Sequence, residues 1–313
     1  MHDGGQALAG HVHGRIPVQR LRRLAAHGPP LRREQAGLLV DLWSGGQVQR
    51  LALGAQASEV GRVIRVAAHA GDLGATRFND HAAAHAAIGA GGFGCFHIDP
   101  IFPMVENVPE IIVLDSWKQD LRDNELWHTD VTFSQKPPLG CVLQAIKIPP
   151  VGGDTLWSSG AAAFAALDQG LQQQLKGLTA THDIRQSFPI ERFAHNHVER
   201  KKLEETFKRN PPVVHPVIRT HPVTGQPILF VSEGFTTRIN ELDESESAEL
   251  LQYLFTHATH EQFHLRWQWQ AGDVAIWDNR CTQHKALFDY GEAHRIMHRA
   301  TINGDVPFYQ AAS

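Results

Sequence analysis

Residues 127–133 read Trp-His-Thr-Asp-Val-Thr-Phe, and the reading of the chain starts from this stretch. Val131, Thr132 and Phe133 favour an extended backbone. In an extended backbone, side chains at i and i+2 point to one face. The pattern therefore predicts a strand with His128 and Asp130 side by side and Thr129 facing away. An imidazole and a carboxylate aimed at one point supply two corners of a metal site.

The spacing alone is weak evidence. The chain holds 20 His and 17 Asp, and His-x-Asp occurs twice, at His97-Ile98-Asp99 and at His128-Thr129-Asp130. His81 and His85 stand four apart, a spacing that holds a metal on a helix, but they lie in a stretch crowded with His and Ala. Context has to choose. A second imidazole beside His128 and Asp130 would complete the facial set of two His and one carboxylate that suits Fe(II) with open positions.

Composition narrows the class. A chain of 313 residues can bury one large core or two modest ones. Its 42% apolar and 20% charged residues are those of an ordinary soluble domain. A net charge of −4 gives no basic excess for nucleic acid or an anionic membrane, so a small-molecule partner is expected. No apolar run approaches the ~20 residues of a membrane span. The first residues lack a basic stretch followed by an apolar one, so no signal peptide is expected. Cys95, Cys141 and Cys281 are odd in number and far apart, which fits a reducing cytoplasm rather than a disulfide framework.

Two textures meet near residue 93. Residues 1–92 contain no Lys and no Tyr, while all eight Lys lie beyond them, and they hold 15 of the 27 Gly. Leu21 to Leu24 and Gly37 to Trp43 read as short helical pieces, with no period sustained beyond them. This segment is expected to be anomalous, either poorly ordered or the product of a misread frame. From Phe93 onward the punctuation is that of a folded domain. Glu110 to Asp115 and Cys141 to Ile148 read as strands, and Gly152-Gly153 turns the chain into Asp154 to Trp157. Ser159 caps a helix to about Asp168, and a second helix spans Leu171 to Leu178. Glu191 to Lys208 reads as a charged, solvated helix or cover. Val213 to Thr220 and Pro227 to Ser232 read as strands joined through a turn-rich connection. Asp243 or Ser245 caps a helix to about His257 with Leu250, Leu251 and Leu254 on one face. Strands follow at Phe263 to Gln268, Asp273 to Trp277 and His294 to Ile302. Many short strands with a few helices outside predict a mainly β domain over residues 93–313, a double-stranded β-helix or jelly roll.

The third ligand should lie far along the chain, because such a fold brings distant strands together. His284 is the candidate. It follows a strand that ends in the polar turn Asp278-Asn279-Arg280, which places it at a strand mouth; a surface His in a turn is the alternative. In Arg295-Ile-Met-His-Arg299 the two arginines are four apart. On a strand they would share a face about 13 Å apart at ~3.3 Å per residue. Two inward arginines are costly unless each meets an anion, and guanidinium groups bind carboxylates and sulfonates through paired hydrogen bonds. In the alternative, both point to solvent and Ile296 and His298 face inward.

The segments WHTDVTF (127–133), GGDTLW (152–157), GDVAIWDNRCTQH (272–284) and HRIMHRATINGD (294–305) resemble the Fe(II)/2-oxoglutarate-dependent dioxygenases of the taurine dioxygenase family. The resemblance continues through SFPIERF (187–193), HPVIRTHPVTG (215–225) and FVSEGFTTRI (230–239), in the family's order, and covers about residues 93–313. It implies that His128, Asp130 and His284 hold iron. It also implies that Arg295 and Thr155 hold the distal carboxylate of 2-oxoglutarate and that Arg299 holds a substrate sulfonate. Asn124 would lie near the substrate amine, and Phe188 and Phe235 would line the pocket. The implied reaction consumes 2-oxoglutarate and O2 and hydroxylates the carbon next to the sulfonate. Sulfite and an aldehyde leave, with succinate and CO2 as co-products. A homo-oligomer is expected on the same ground.

This chain departs from the family pattern at Asp99 and Phe102, where taurine enzymes usually carry His and Tyr that face the substrate. An Asp there sets like charge against an anion, and Phe102 removes a hydroxyl. The expected substrate is taurine or a similar small sulfonate. The alternatives are the same chemistry on another alkylsulfonate or a sulfate ester, or an inactive jelly-roll remnant that binds an anion.

Overall fold

The computed structural model describes residues 38–44, 47–53 and 64–65 by their backbone, and residues 102–311. The pairs His81/His85 and His97/Asp99, including the proposed substrate residue Asp99, lie outside the described residues, as does most of the segment 1–92.

The described residues open with the antiparallel pair β1 (Leu38–Ser44) and β2 (Gln47–Leu53), followed by β3 (Ile64–Arg65). Residues 38–43 of the helical piece expected at Gly37 to Trp43 are therefore strand. Their Leu and Val residues suit a pleated surface. Then come β4 (Met104–Val105), β5 (Val108–Asp115), β6 (Gly140–Lys147) and β7 (Thr155–Ser159). Helices α1 (Gly160–Ala165) and α2 (Gln169–Leu175) lead to β8 (Thr179–His182). Helices α3 (Ile190–Phe193) and α4 (His197–Arg209) form the charged stretch. They precede β9 (Val213–Pro216), β10 (Ile218–Thr220), β11 (Pro227–Leu229) and β12 (Thr236–Ile239). After α5 (Glu244–Ala258) the chain closes with β13 (His264–Trp267), β14 (Val274–Asp278), β15 (Thr282–Ala286) and β16 (Ile296–Ile302).

Two sheets make the jelly roll. One has six strands in the order β3-β14-β6-β16-β5-β4, and facing it are three in the order β13-β7-β15. Neighbours in both are antiparallel, and apart from β4 and β5 they come from distant parts of the chain, as when β16 lies between β5 and β6. Residues from the two sheets, Leu143, Trp157, Trp277 and Met297 among them, form one buried core. Trp157 and Trp277 meet edge to face at 5.6 Å, and burying rings of that size supplies much of the cohesion between sheets. A second core lies under α1, α2 and α5, where Phe164, Leu171, Leu250 and Leu254 pack against β10 and β11.

Local signals account for these elements. Ser159, Asp168 and Asp243 each accept a backbone N–H of the helix they start. Gly152 and Gly153 take φ of 79° and 77°, which only glycine adopts freely. Gly153 also lets the backbone approach the Arg295 side chain, since a Cβ there would stand 3.3 Å from its Cδ.

Candidate metal and anion site

The strand expected through Trp127 to Phe133 does not form. His128 makes an isolated antiparallel bridge to His284, and residues 130–133 then turn, with Val131 at φ 53°. A β-branched residue at positive φ is costly and needs its surroundings to hold it there. Those surroundings are specific. The Asp130 N–H donates to Asn279 Oδ1 at 3.0 Å, and Asn279 Nδ2 donates back to the Asp130 carbonyl at 3.1 Å. The Ser134 N–H closes the turn on the Val131 carbonyl at 3.0 Å. His215 lies under it, with Nε2 2.9 Å and 3.0 Å from the carbonyls of Thr132 and Ser134. Local β propensity loses to these long-range contacts.

His284 is also placed differently from the expectation. It is the middle residue of β15, paired with Trp157 of β7, and is buried rather than set at a strand mouth. The bridge to His128 runs in both directions, from the His128 N–H to the His284 carbonyl at 3.1 Å and back at 2.8 Å. Thr129 Oγ1 adds a bond to the Thr282 carbonyl at 2.9 Å.

His128, Asp130 and His284 meet at one point. His128 Nε2 lies 3.8 Å from Asp130 Oδ1, and His284 Nε2 lies 3.7 Å from Asp130 Oδ2. Donor atoms this close can share one ion at bonds of roughly 2.1 Å. His128 Nδ1 faces the Leu126 carbonyl at 2.8 Å, so Nδ1 carries the proton and Nε2 presents its lone pair. Burial pushes the pKa of His128 down and that of His284 to about 3, so both rings stay neutral as ligation requires. Burial alone would raise Asp130, but the Arg299 guanidinium beside it holds it well below the carboxylate range. The Cys141 thiol donates to Asp130 Oδ2 at 3.0 Å; burial first and Asp130 second push that thiol's pKa far up, so it remains a donor. A neutral, neutral, anionic donor set with an open side suits Fe(II).

Beside the triad is a cavity of about 430 Å³, open mouth included, whose lining includes His284, Asn124, Thr155, Trp277, Arg295 and Arg299. Both arginines of β16 point inward, each 5% exposed, so the outward alternative is excluded. Arg295 is held at its backbone by Ser116, and its buried Nε has no hydrogen-bond partner among the described residues. A buried guanidinium left this way is built for an anion. It fits the distal carboxylate of 2-oxoglutarate, with the Thr155 hydroxyl on the same wall. That hydroxyl accepts Trp269 Nε1 at 2.9 Å and keeps its own proton to donate. Arg299 instead reaches the metal site, with Nη1 on Asp130 Oδ1 at 2.9 Å.

Phe188 and Phe235, expected to line the pocket, are not in the lining of this cavity. Phe188 and Phe235 pack with Val131, Phe133 and Phe207, and Phe235 meets the His128 ring edge-on at 6.3 Å. Phe102 is half-buried and touches both this cluster and the core beside the cavity. Asn124 sits in a single 3-10 turn, with Nδ2 on the Leu121 carbonyl. That turn is tied to α3 by Asp120, which pairs with Arg122 and with Arg192.

Sequence reasoning missed Asn279 and Cys141. Asn279 stood in view within Trp277-Asp-Asn-Arg280, a polar turn beside a proposed ligand strand. Nothing in the pattern marked Cys141 as more than a small buried residue.

Residues 65–301 match the family described as taurine catabolism dioxygenase TauD, TfdA family. An alpha-ketoglutarate-dependent sulfate ester dioxygenase of Pseudomonas putida is 37% identical over 216 residues, covering 66% of this chain and 68% of that protein. An alkylsulfatase of Acinetobacter baylyi is 38% identical over 210 residues, covering 66% of this chain and 65% of that one. The chain thus spans about two thirds of the length of these relatives. The crystal structure of a taurine dioxygenase from Burkholderia xenovorans superposes with a TM-score of 0.58 at 34% identity, covering 71% of this chain and 73% of that one. Among the described residues, no helix is long and apolar enough to cross a membrane. With its jelly roll, its clustered triad and this match over most of its length, the chain belongs to the TauD/TfdA family of alpha-ketoglutarate-dependent dioxygenases.

Proposed function

We propose that this chain uses Fe(II), 2-oxoglutarate and O2 to hydroxylate a small alkylsulfonate or alkyl sulfate ester at the carbon bearing the sulfur group. The observation that carries this reading is the juxtaposition of the His128, Asp130 and His284 donors with two inward guanidinium groups on one strand. Bound iron supplies the activation of O2. His128, Asp130 and His284 would hold it. Arg295 and Thr155 fix the distal carboxylate of 2-oxoglutarate, and Arg299 orients the substrate anion. Trp277, Leu114 and Leu143 keep water from the reacting carbon. From a sulfonate the hydroxylated carbon expels sulfite; from a sulfate ester it expels sulfate. Either way an aldehyde remains, with succinate and CO2 as co-products.

The apolar part of the cavity lining, Leu114, Leu121, Leu143 and Phe288, supports an alkyl tail over the ammonium group of taurine. The sulfate ester relatives support it in the same direction. Taurine stays in the panel, because Asn124 offers a polar contact. Anaerobic addition of Fe(II) and 2-oxoglutarate should produce a charge-transfer absorption band. Admission of O2 with taurine, pentanesulfonate or hexyl sulfate then reads out sulfite, sulfate and succinate. Absence of the band would mean no working site and would leave the inactive remnant as the reading. A band with turnover of only non-sulfur acids would reject the substrate class.

A further inference from the structure

We infer that Asn279 is a positioning residue for the metal centre, acting through the Asp130 peptide rather than by touching metal or substrate. The inference rests on reading His128, Asp130 and His284 as a metal site, and adds what sets their spacing.

Asn279 is 1% exposed and lies in the turn between β14 and β15. Its amide grips Asp130 from both sides: Oδ1 accepts the Asp130 N–H, and Nδ2 donates to the Asp130 carbonyl. A third bond, from Nδ2 to the Pro138 carbonyl at 3.2 Å, fixes the amide's orientation. The Asn279 backbone N–H donates to the Leu139 carbonyl at 3.0 Å, so the residue is anchored at both ends. Five residues later the same chain carries His284. The ligand loop and the ligand strand are therefore laced together at three successive points. His128 bonds His284, Thr129 bonds Thr282, and Asp130 bonds Asn279. The first is a backbone bridge and the second a side-chain bond to a backbone carbonyl, and both could hold a straight strand. Only the Asn279 grip requires the chain to leave the ladder at Asp130 and enter the turn in which Val131 takes φ 53°.

The consequence is geometric. On an unbroken strand the Asp130 carboxylate would follow the pleat of His128. In the turn it stands between the two imidazoles, within 3.8 Å of one and 3.7 Å of the other. No other side-chain amide is bonded to the Asp130 backbone in the described residues. Either end of an Asn amide alone would satisfy one group; both are needed to hold the backbone of one residue by its N–H and its carbonyl. Outer partners that orient ligands in this way are typically worth ~10–100-fold in metal affinity.

The test uses the full chain, freed of metal, with Co(II) as probe, reading affinity by titration and coordination by the visible d–d bands. Binding by the parent that is lost in His284→Ala establishes the metal site itself; no binding by the parent would sink the proposed function rather than this inference. Asn279→Ala and the isosteric Asn279→Asp are then compared with Thr129→Val, which cuts the neighbouring lace without touching Asp130. Asn279→Asp can still accept the Asp130 N–H but loses both donors, and it serves where Asn279→Ala does not fold. The expected result is at least tenfold weaker Co(II) binding in the folded Asn279 variants, with altered d–d bands. Thr129→Val should lower the apo melting temperature with its affinity within about threefold of the parent. Folded Asn279→Ala or Asn279→Asp protein that binds Co(II) as tightly as Thr129→Val, with parental bands, would reduce Asn279 to a structural role and overturn the inference.

Discussion

Arg299 donates from Nη1 to Oδ1 of Asp130 at 2.9 Å, with both side chains almost fully buried, so a cavity-lining cation rests on the carboxylate at the centre of the metal triad. The pair joins the anion-binding wall to the metal-binding point. It also means that Asp130 has a counter-charge within the chain itself.

Arg299→Ala should therefore destabilise the metal-free chain. Removing one partner of a buried ion pair costs about 3–5 kcal/mol, because the other charge stays buried. The urea midpoint of the metal-free variant should fall accordingly. Mn(II) should recover more stability in the variant than in the parent, since a bound cation replaces the lost guanidinium. An unchanged midpoint would show that Asp130 does not depend on Arg299.

Gly234→Ala probes the space behind His128. A Cβ at this position would lie 2.8 Å from His128 Cβ and 3.2 Å from Ser187 Oγ. One of them must shift, at an expected cost of about 1–3 kcal/mol for overpacking. Because His128 is one of the two, Co(II) affinity should fall along with thermal stability. A loss of stability alone would place the strain on Ser187.

Cys141 should be silent to thiol reagents in the native chain. It has no exposed surface, and burial first, then Asp130, pushes its pKa far above the usual thiol value. Iodoacetamide followed by peptide mapping should label Cys281, which is half-buried, ahead of Cys141. Labelling of Cys141 before unfolding would contradict the hydrogen bond to Asp130.

Acid should destabilise the fold through His182 and His215. These rings meet at 5.1 Å under the Asp130 turn, and both pKa values are lowered, first of all by burial. A depressed histidine pKa means that the unfolded chain takes up protons that the native chain refuses. Stability is then complete above the ordinary value near 6.5 and falls as pH drops toward the folded values, at about 1.4 kcal/mol per pH unit for each ring. His182→Phe should flatten this acid slope, measured by urea unfolding from pH 7.5 to 5. A slope equal to that of the parent would remove His182 from the explanation.

Most strands and helix starts were legible because their signals are local. The apolar run Ile111 to Leu114 needs no distant partner to be read as a buried strand. The same holds for Asp243 as a cap for α5, whose Leu250, Leu251 and Leu254 lie buried as the spacing predicts. The inward arginines were half legible: their four-residue spacing put them on one face but left the choice of face open.

The stretch 127–133 shows where local reading ends. By itself the sequence determined which groups were available: the imidazoles, the carboxylate, the guanidinium pair, and the alternation and caps that make strands and helices around them. Only the tertiary structure decided that Asp130 leaves the strand, because the contacts that bend it come from Asn279, 149 positions away, and from the carbonyls over His215. It likewise decided that His284 sits buried in a strand opposite His128. Propensity is a sum over neighbours in the chain, whereas a metal site is a sum over neighbours in space, and antiparallel sheets with distant partners make the two sets almost disjoint.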